Sequence, residues 1–428
     1  MRKTVLTPIH PMTSNPSGDL SATYIGIDWA DQKHDYALRQ VDGKIECGTF
    51  DQDPVAIAER LNQIRKRAGT PAIVIGIETT NGPLVNALAE HADIAIYPIN
   101  PAALAKYREA FAHGGGKNDK VDAALILQYL IHYRERMRPL QQDSPQTRML
   151  ATLTRDRRQF VEQRVVLSQQ LTDLLKAYFP AVLGMKAAKP YAEFLLKLIV
   201  KYPTLAAVHQ AGKTRVRKLF YGLGSTERIE KRIDALFNAN PLTNDEVVLS
   251  SSARKAQWLA QQLLVLNQAV RQYDAAIRRA LRQHWLQSVV QTLPCGVTSK
   301  ARIIAALGDD KLRYASATDL TAAVGIAPLT TQSGKSRYVS SRWATSKFLR
   351  QTFHEFAGVT INRCRWSRAF YDSQISIGKT PCMAKRALAY KWIRIIYRCW
   401  QTETPYDDQQ YLKRLAETGS PLARKISA

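Results

Sequence analysis

The stretch TYIGID (residues 23–28) closes a run of apolar residues with an aspartate. An apolar run of this length before a polar break predicts a buried β-strand. Two more strand-like stretches follow, HDYALRQ (34–40) and KIECGTF (44–50), with a turn at residues 41–43 between them. The sequence therefore predicts that the chain opens with a three-stranded antiparallel meander.

Helices and strands alternate after this meander. Residues 54–68 have the spacing of an amphipathic helix, PAIVIGI (71–77) is typical of a buried strand, residues 83–92 are helical, and DIAIYPI (93–99) is a short strand. The resulting order, β-β-β-α-β-α-β, is that of the RNase H-like fold. We therefore predict an α/β RNase H-like domain over residues 23–142.

The other predicted regions differ in composition. Residues 1–22 are basic and broken by prolines, which predicts a flexible arm. Residues 143–290 show apolar residues three and four apart over long stretches, which predicts paired long helices of coiled-coil type. Residues 291–428 are predicted to form a mainly α-helical basic domain, with 22 Lys and Arg against 9 Asp and Glu. The long helices also carry Arg155, Arg157, Arg158 and Arg164. These arginines fit a nucleic-acid-binding face or, equally, a solvated helix surface.

The charge balance indicates the class of partner. Lys and Arg outnumber Asp and Glu by 61 to 36, and a formal net charge of +25 indicates a polyanionic partner, nucleic acid first. No apolar stretch approaches the roughly 20 residues of a membrane-spanning helix, and the N-terminus lacks the apolar core of a signal peptide. The five scattered cysteines have no C-x-x-C spacing and fit reduced thiols, so we expect a cytoplasmic, nucleoid-associated protein.

Four acidic residues form the candidate metal site. Asp28 ends the first predicted strand and Glu78 follows the fourth, and these strands are neighbours in an RNase H-like sheet. Asp119 and Asp122 lie three residues apart at the start of a predicted helix and face the same way. Carboxylates brought together repel one another unless they hold cations, and oxygen ligands suit Mg²⁺, with Mn²⁺ as an alternative. Taken singly, each residue also fits a turn or a helix cap.

The same residues carry a resemblance to a known family. The order GIDWA, GIETT, INPAALAKYREA and KNDKVDA, over about residues 23–140, resembles the RuvC-like domain of DEDD-type insertion-sequence transposases. That family includes the Piv-type DNA invertases, and the segment YPINP (97–101) is also similar to it. The resemblance implies a RuvC-like domain that holds its metal ions with the four carboxylates.

A second resemblance to this family covers the tail, through LPCGVTSKARIIAALGD, DLTAAVGIAPLTTQSGKS and a basic helical stretch. It implies that a serine of this domain attacks DNA and forms a covalent phosphoserine, and the matching position is Ser333. A serine hydroxyl is a weak nucleophile, so it requires activation by a base or a metal ion. The nearby alternatives are Ser336, Ser340 and Ser341.

The partners follow from charge and from the resemblance. Basic and aromatic residues alternate in SRYVSSRWATSKFLRQTF (336–353), which suits phosphate contacts and either packing or base stacking. The residues predicted to contact nucleic acid are Lys335, Arg337, Arg342, Lys347 and Arg350. The resemblance implies double-stranded donor and target DNA, guidance by a structured non-coding bridge RNA, and a homodimer or homotetramer whose active sites combine different subunits.

These observations predict a transposase or recombinase that cuts and rejoins DNA through a covalent serine–DNA intermediate, assisted by carboxylate-held Mg²⁺. One alternative is a RuvC-like nuclease or junction resolvase in which metal-activated water hydrolyses DNA without a covalent intermediate. The other alternative is a non-catalytic, basic scaffold that binds nucleic acid. The three differ in whether DNA becomes joined to protein, is released as cut strands, or stays whole.

Overall fold

The computed structural model describes residues 22–40, 43–68, 72–111, 119–184, 189–220, 226–334, 336–342 and 345–427. The chain divides into two compact units, residues 1–142 and 143–428. Almost all of the predicted N-terminal arm lies outside the described residues. The segments 143–290 and 291–428, predicted as two domains, lie together in the second unit.

The first unit is built on a five-stranded sheet with the order β3-β2-β1-β4-β5. The first three strands pair antiparallel, whereas β1 pairs with β4, and β4 with β5, in parallel. The predicted meander and the predicted pairing of the first and fourth strands are confirmed. The strands are β1 (Ala22–Asp28), β2 (Lys33–Arg39), β3 (Ile45–Asp51), β4 (Ala72–Ile77) and β5 (Ile94–Pro98).

Four helices cover this sheet, and a short 3₁₀ turn (Arg134–Arg136) follows the last of them. Three of the helices begin with a proline, which fits a first turn because the N–H that proline lacks has no helical partner there. The second helix ends at Leu88 instead of the predicted Ala92, because the following residues turn the chain into β5. The helices are α1 (Pro54–Ala68), α2 (Pro83–Leu88), α3 (Pro101–Phe111) and α4 (Asp119–Tyr133).

The sheet is buried on both faces. Ile25 and Ile75 lie on the face that packs against α1 and α2, whereas Tyr24 and Val74 lie on the face that packs against α3 and α4. Successive residues of a strand point to opposite faces, so covering both faces demands a continuous apolar run. That demand explains why the two central strands were recognisable from the sequence.

Helix α4 packs directly on β1 at Gly26. A methyl group at Gly26 would lie 2.9 Å from the Leu127 Cα and closer still to the Ala123 carbonyl oxygen and the Leu127 nitrogen. Side-chain carbon atoms do not approach backbone atoms so closely. Glycine at this position therefore sets the distance between α4 and the sheet.

The second unit is built around two long helices, α5 (Pro145–Tyr178) and α10 (Glu246–Arg282). Arg157 of α5 donates a hydrogen bond to Asp274 of α10, and Arg164 donates one to Asn267. Because the later residue of α5 pairs with the earlier residue of α10, the two helices pack antiparallel. The paired long helices predicted from the sequence are thus partners within one chain. Four shorter helices surround one end of the pair: α6 (Pro180–Gly184), α7 (Glu193–Lys201), α8 (Leu205–Lys218) and α9 (Thr226–Phe237).

The C-terminal part packs on the other end of the long pair. Leu150 of α5 and Ile277 of α10 belong to the same apolar core as the buried Trp366, Trp392 and Trp400. The elements of this part are α11 (Gln287–Val290), α12 (Val297–Leu307), a 3₁₀ turn (Lys311–Arg313), α13 (Ala317–Ala323), β6 (Pro328–Ser333), β7 (Ser336–Ser341), α14 (Lys347–Thr360), α15 (Arg365–Ser376), α16 (Pro381–Thr402), α17 (Asp408–Glu417) and α18 (Pro421–Ser427).

This part is mainly helical, as predicted, and the β6–β7 hairpin is an addition to the prediction. Among the helices of the described residues, none is both long enough and apolar enough to cross a bilayer.

Replacing Gly26 by alanine tests the contact between α4 and β1. We expect Gly26→Ala to destabilise the first unit by about 3 kcal/mol or more, because the added methyl meets backbone atoms that cannot rotate away. Gly76→Ala is the matched control, since its methyl would meet only side-chain atoms, at 3.2–3.3 Å, and should cost about 1 kcal/mol. Hydrogen exchange of β1 and β2 peptides in the full-length protein measures both, and equal losses of protection would contradict the close approach.

Candidate active site

Asp28 and Glu78 meet at one edge of the first sheet. Asp28 is the last residue of β1, and Glu78 follows Ile77, the last residue of β4. Ile27 pairs with Ile77 in a parallel register, and neighbouring strands lie about 4.8 Å apart. Both acidic residues are half-buried and leave the sheet at the same end. The structure therefore brings these two predicted residues to the same edge of the sheet.

Asp28 continues the strand face that α4 covers. Gly26 and Gly76 pair in register, and both lie under α4, since Gly26 contacts Leu127 and Gly76 contacts Ile126. Residues two apart in a strand share a face. Asp28, two residues after Gly26, therefore lies on the α4 side of the sheet.

Helix α4 runs antiparallel to β1 and begins near the same edge. Leu127, in the middle of α4, lies over Gly26, and Arg134, just after the helix, donates a hydrogen bond to the Tyr24 hydroxyl. Later residues of the helix thus lie over the start of the strand. The first turn of α4 accordingly extends toward the end of β1, where Asp28 lies.

Asp122, in that first turn, is buried, with 7% of its surface exposed. Its Oδ1 accepts a hydrogen bond from Nη2 of Arg108 on α3 at 2.7 Å. A buried carboxylate requires such a counter-charge, because removal from water strongly disfavours an unpaired ion. Nε of Arg108 is itself buried and has no hydrogen-bond partner in the described part of the chain. Arg108 was not predicted as a site residue, because its contact with Asp122 depends on how α3 packs against α4.

Asp119 is the first residue of α4, and its side chain lies outside the described part of the structure. Among the described residues, no group of three or more His, Cys, Asp or Glu side chains is arranged to hold a metal ion. Asp28, Glu78 and the start of α4 nevertheless share one edge of the sheet. The four-carboxylate metal site therefore stays a prediction.

Ser333 lies at the tip of the β6–β7 hairpin. It pairs with Ser336, and Gly334, which follows Ser333, takes a φ of 53° that glycine adopts at little cost. Every residue of β6 is exposed, Ser333 included. Ser340 pairs with Leu329, four residues and about 13 Å further down the strand. Ser333 and Ser336 therefore share the tip, whereas Ser340 lies near the base.

Arg386 of α16 holds the base of this hairpin. Its Nε and Nη2 donate to the carbonyls of Ile326 and Gly325 at 2.9 and 3.0 Å, and its Nη1 donates to the Ser341 hydroxyl at 2.6 Å. Burial, followed by the nearby charge of Arg350, lowers the pKa of Arg386 from its ordinary value. The Ser341 hydroxyl is thus already engaged. Arg386 was not predicted as part of this region, because it lies 45 residues beyond Ser341 in the chain.

Of the basic residues predicted to contact nucleic acid, Arg342 follows β7, and Lys347 and Arg350 lie in α14. Lys347 is exposed at the start of α14, whereas Arg350 donates through Nη1 to the Arg342 carbonyl at 2.9 Å. Nε of Arg342 is buried without a partner among the described residues. Lys335 and the side chain of Arg337 lie outside the described residues. Arg350 therefore has a structural contact besides any contact with a ligand.

Two family models match the chain, one in the N-terminal region and one in the C-terminal region where the sequence resembles the transposase family. A DEDD transposase model of the IS110 type matches residues 25–180, and a model described as the transposase IS116/IS110/IS902 family matches residues 287–372. The first span contains the four predicted carboxylates and the second contains Ser333. The chain belongs to the IS110/IS116 family of transposases. Transposases cleave and rejoin DNA, so this transposase is an enzyme that binds DNA.

Similar proteins come from bacterial insertion elements. A protein of Streptomyces coelicolor, named as a candidate transposase of the IS117 mini-circle, is 26% identical over 419 residues, which are 94% of this chain and 99% of that protein. An uncharacterised protein of insertion element IS110 from the same organism is 23% identical over 353 residues, 81% of this chain and 86% of its own. An uncharacterised protein of IS116 from Streptomyces clavuligerus is 26% identical over 293 residues, 66% of this chain and 71% of its own.

The ion pair between Arg108 and Asp122 can be tested by a double-mutant cycle. We expect Arg108→Gln and Asp122→Asn each to destabilise the transposase, with a coupling energy of about 1–3 kcal/mol. Arg108→Gln leaves the buried Asp122 carboxylate without its counter-charge, and Asp122→Asn removes the ion pair of the partly exposed Arg108. Urea unfolding in the absence of divalent metal measures the four proteins of the cycle. Strictly additive effects would mean that the two side chains do not interact in solution.

Proposed function

We propose that this transposase exchanges DNA strands through a covalent bond between Ser333 and a DNA phosphate, assisted by Mg²⁺ held on Asp28, Glu78, Asp119 and Asp122. The register of β1 on β4 carries the proposal. That register ends with Ile27 beside Ile77, the residues directly before Asp28 and Glu78, at the edge toward which α4 begins. Carboxylates that emerge together from adjacent parallel strands suit a divalent cation.

The proposed fold of the catalytic domain is RNase H-like, of the RuvC type. Support comes from the strand order β3-β2-β1-β4-β5, with three antiparallel strands followed by two parallel ones. In parallel sheets flanked by helices, functional groups gather at the carboxyl ends of the strands. Asp28 and Glu78 occupy those ends, which agrees with a catalytic role.

The proposed chemistry is a pair of transesterifications. The Ser333 hydroxyl loses its proton to a base, and its oxygen attacks a backbone phosphorus. A Ser333–phosphate bond forms as the bond from phosphorus to the leaving deoxyribose oxygen breaks, and that oxygen takes up a proton. A deoxyribose hydroxyl of the second DNA strand then attacks the phosphoserine and regenerates Ser333. The number of phosphodiester bonds is conserved, so no energy-supplying cofactor is required.

Side chains of both compact units take part in this proposal. Ser333, exposed at a hairpin tip, is accessible to DNA. Mg²⁺, when bound to the carboxylates, would favour ionisation of the attacking hydroxyl and stabilise the leaving oxygen. Arg108 neutralises Asp122 and keeps that carboxylate in place.

The further parts of the proposal concern partners. Residues 291–428 carry 22 basic against 9 acidic residues, and this excess supports binding of a long polyanion. The family resemblance supports a structured bridge RNA as guide and a homodimer or homotetramer that combines active-site residues of different subunits. RNA copurified with the protein, once sequenced, tests the guide directly.

The first test concerns the carboxylates. We expect Asp28→Asn, Glu78→Gln, Asp119→Asn and Asp122→Asn each to reduce strand cleavage by about 10³-fold or more while the fold is retained, because each change removes a metal-coordinating charge at constant size. The exposed Asp31 provides the matched control, and Asp31→Asn should cleave as the wild type does. Cleavage is read on denaturing gels with Mg²⁺ or Mn²⁺. Full activity in any two of the four variants would refute the metal site.

The second test concerns Ser333. We expect Ser333→Ala to bind DNA normally and to form no covalent adduct, since it lacks only the attacking oxygen. Ser340→Ala, near the base of the same hairpin, is the matched control and should form the adduct. The adduct is detected by denaturing electrophoresis of labelled DNA and located by peptide mass spectrometry. An adduct in the Ser333→Ala variant would transfer the role to Ser336.

Two further outcomes of the second test decide the mechanism. Wild-type protein that releases cut strands without any adduct would replace the serine mechanism by metal-activated hydrolysis. Mixing Ser333→Ala with Asp28→Asn protein tests subunit sharing, because a shared site should recover activity that neither variant has alone. No recovery in the mixture would restrict each active site to one chain.

A further inference from the structure

A basic cavity of about 440 Å³ lies on the long-helix part of the second unit. Its walls come from α5, α7, α9 and α10 together with the residues before α7. Five cationic side chains line it against two carboxylates. The cations are Arg157, Arg164, Lys189, Arg232 and Arg271, and the carboxylates are Glu193 and Asp274.

Within the described part of the chain, carboxylates neutralise two of the five cations. Arg157 Nε lies 2.6 Å from Asp274, and Arg271 Nη1 lies 2.9 Å from Glu193. Among the described residues, no carboxylate forms an ion pair with any of the other three cations. The cavity therefore carries an excess of three positive charges, which are those of Arg164, Lys189 and Arg232.

Aromatic rings hold these three cations in place. The guanidinium of Arg164 lies 4.1 Å from the ring centroid of Tyr191, and Lys189 Nζ lies 5.8 Å from the same centroid. The guanidinium of Arg232 lies 4.8 Å from the ring of Phe194. A ring face attracts a cation, but two like charges over one ring repel each other. An anion between Arg164 and Lys189 would relieve this repulsion.

Arg164 also has donors to spare. Its Nη1 makes only a long bond, 3.3 Å, to Oδ1 of Asn267, and its Nε is buried with no partner among the described residues. Asn267, 7% exposed, donates in turn to the Tyr191 carbonyl at 2.8 Å. The hydrogen bond from the buried Asn267 thus fixes Tyr191, whose ring lies under the Arg164 guanidinium. Unused N–H groups on a fixed guanidinium are ready to bind an oxyanion.

We propose that this cavity binds phosphate groups of a nucleic-acid backbone, as a contact separate from the hairpin that carries Ser333. The inference rests on the proposed function only in that nucleic acid is the substrate. Phosphate oxygens match the fork of a guanidinium, and Lys189 adds a charge that is exposed to solvent. Duplex DNA and structured RNA present the same phosphodiester group, so both serve as probes.

The test compares two double variants with the same change of charge. Arg164→Gln/Arg232→Gln removes two cavity charges, and Arg278→Gln/Arg279→Gln removes two exposed charges of α10 outside the cavity. Fluorescence anisotropy measures the affinity for a labelled DNA duplex and for a labelled RNA hairpin over a range of salt concentrations. Each lost phosphate contact lowers the slope of log affinity against log salt by about one.

We expect the cavity variant to lose about two units of this slope and about tenfold in affinity with at least one probe, and the control to change far less. The probe whose salt slope falls in the cavity variant identifies the nucleic acid that the cavity holds. Equal effects of the two double variants would overturn the inference, because binding would then follow net charge alone. Circular dichroism shows whether the bundle stays folded, and Lys189→Gln, at an exposed position, replaces the Arg164 change if it does not.

The adduct assay distinguishes a failure of phosphate binding in the cavity from a failure of the serine mechanism. Ser333→Ala leaves the cavity intact and should retain the wild-type salt slope. If the cavity variant keeps the wild-type salt slope and the wild-type protein forms its adduct, phosphate binding in the cavity is refuted and the serine mechanism stands. A wild-type protein that forms no adduct refutes the serine mechanism and leaves the slope comparison valid.

Discussion

The close contact between the backbones of α4 and β1 at Gly26 governs the geometry of the first unit. Because no side chain separates the helix from the strand, α4 sits at a fixed height over the sheet. Its antiparallel course then takes the turn that holds Asp122 toward the strand end that holds Asp28. A residue with no side chain thus determines where acidic side chains can meet, although it has no chemistry of its own.

Local patterns made much of the first unit predictable. A strand covered on both faces must be apolar throughout, so TYIGI and AIVIGI were identifiable without a partner strand. The acidic residues follow those strands directly, and their shared edge depends only on which strands are neighbours. The strand order itself followed from the succession of helices and strands. These parts of the site depend on short stretches of sequence.

The parts that escaped prediction depend on packing between distant segments. Arg108 meets Asp122 only because α3 lies beside α4, and Arg386 reaches the hairpin from a helix 45 residues beyond Ser341. No local spacing encodes such pairs. The β6–β7 hairpin was missed for another reason, since β6 has no buried face and so lacks the alternation of apolar and polar residues that marks a half-buried strand.

The long helices also show why counting charges along the sequence is insufficient. Arg157 pairs with Asp274, and Arg158 pairs with Glu162 and Glu355, so these two arginines are partly neutralised by the fold. Net charge indicates a polyanionic partner for the whole chain. The location of unpaired charge, which decides where a phosphate can bind, becomes visible only when the carboxylates have been placed.

The antiparallel helices α5 and α10 form a projection from the C-terminal core, and the length of the two helices sets the length of this projection. Thr147 and His284 lie 137 residues apart in the chain, yet their side chains form a 2.7 Å hydrogen bond. The chain thus leaves the C-terminal core and returns to it at one point. Equal numbers of turns could be added to or removed from both helices without moving that point, whereas a change in one helix alone would slide Arg157 past Asp274. Relatives could therefore differ in the length of the α5–α10 pair, with equal changes in both helices, while the hairpin that carries Ser333 stays unchanged.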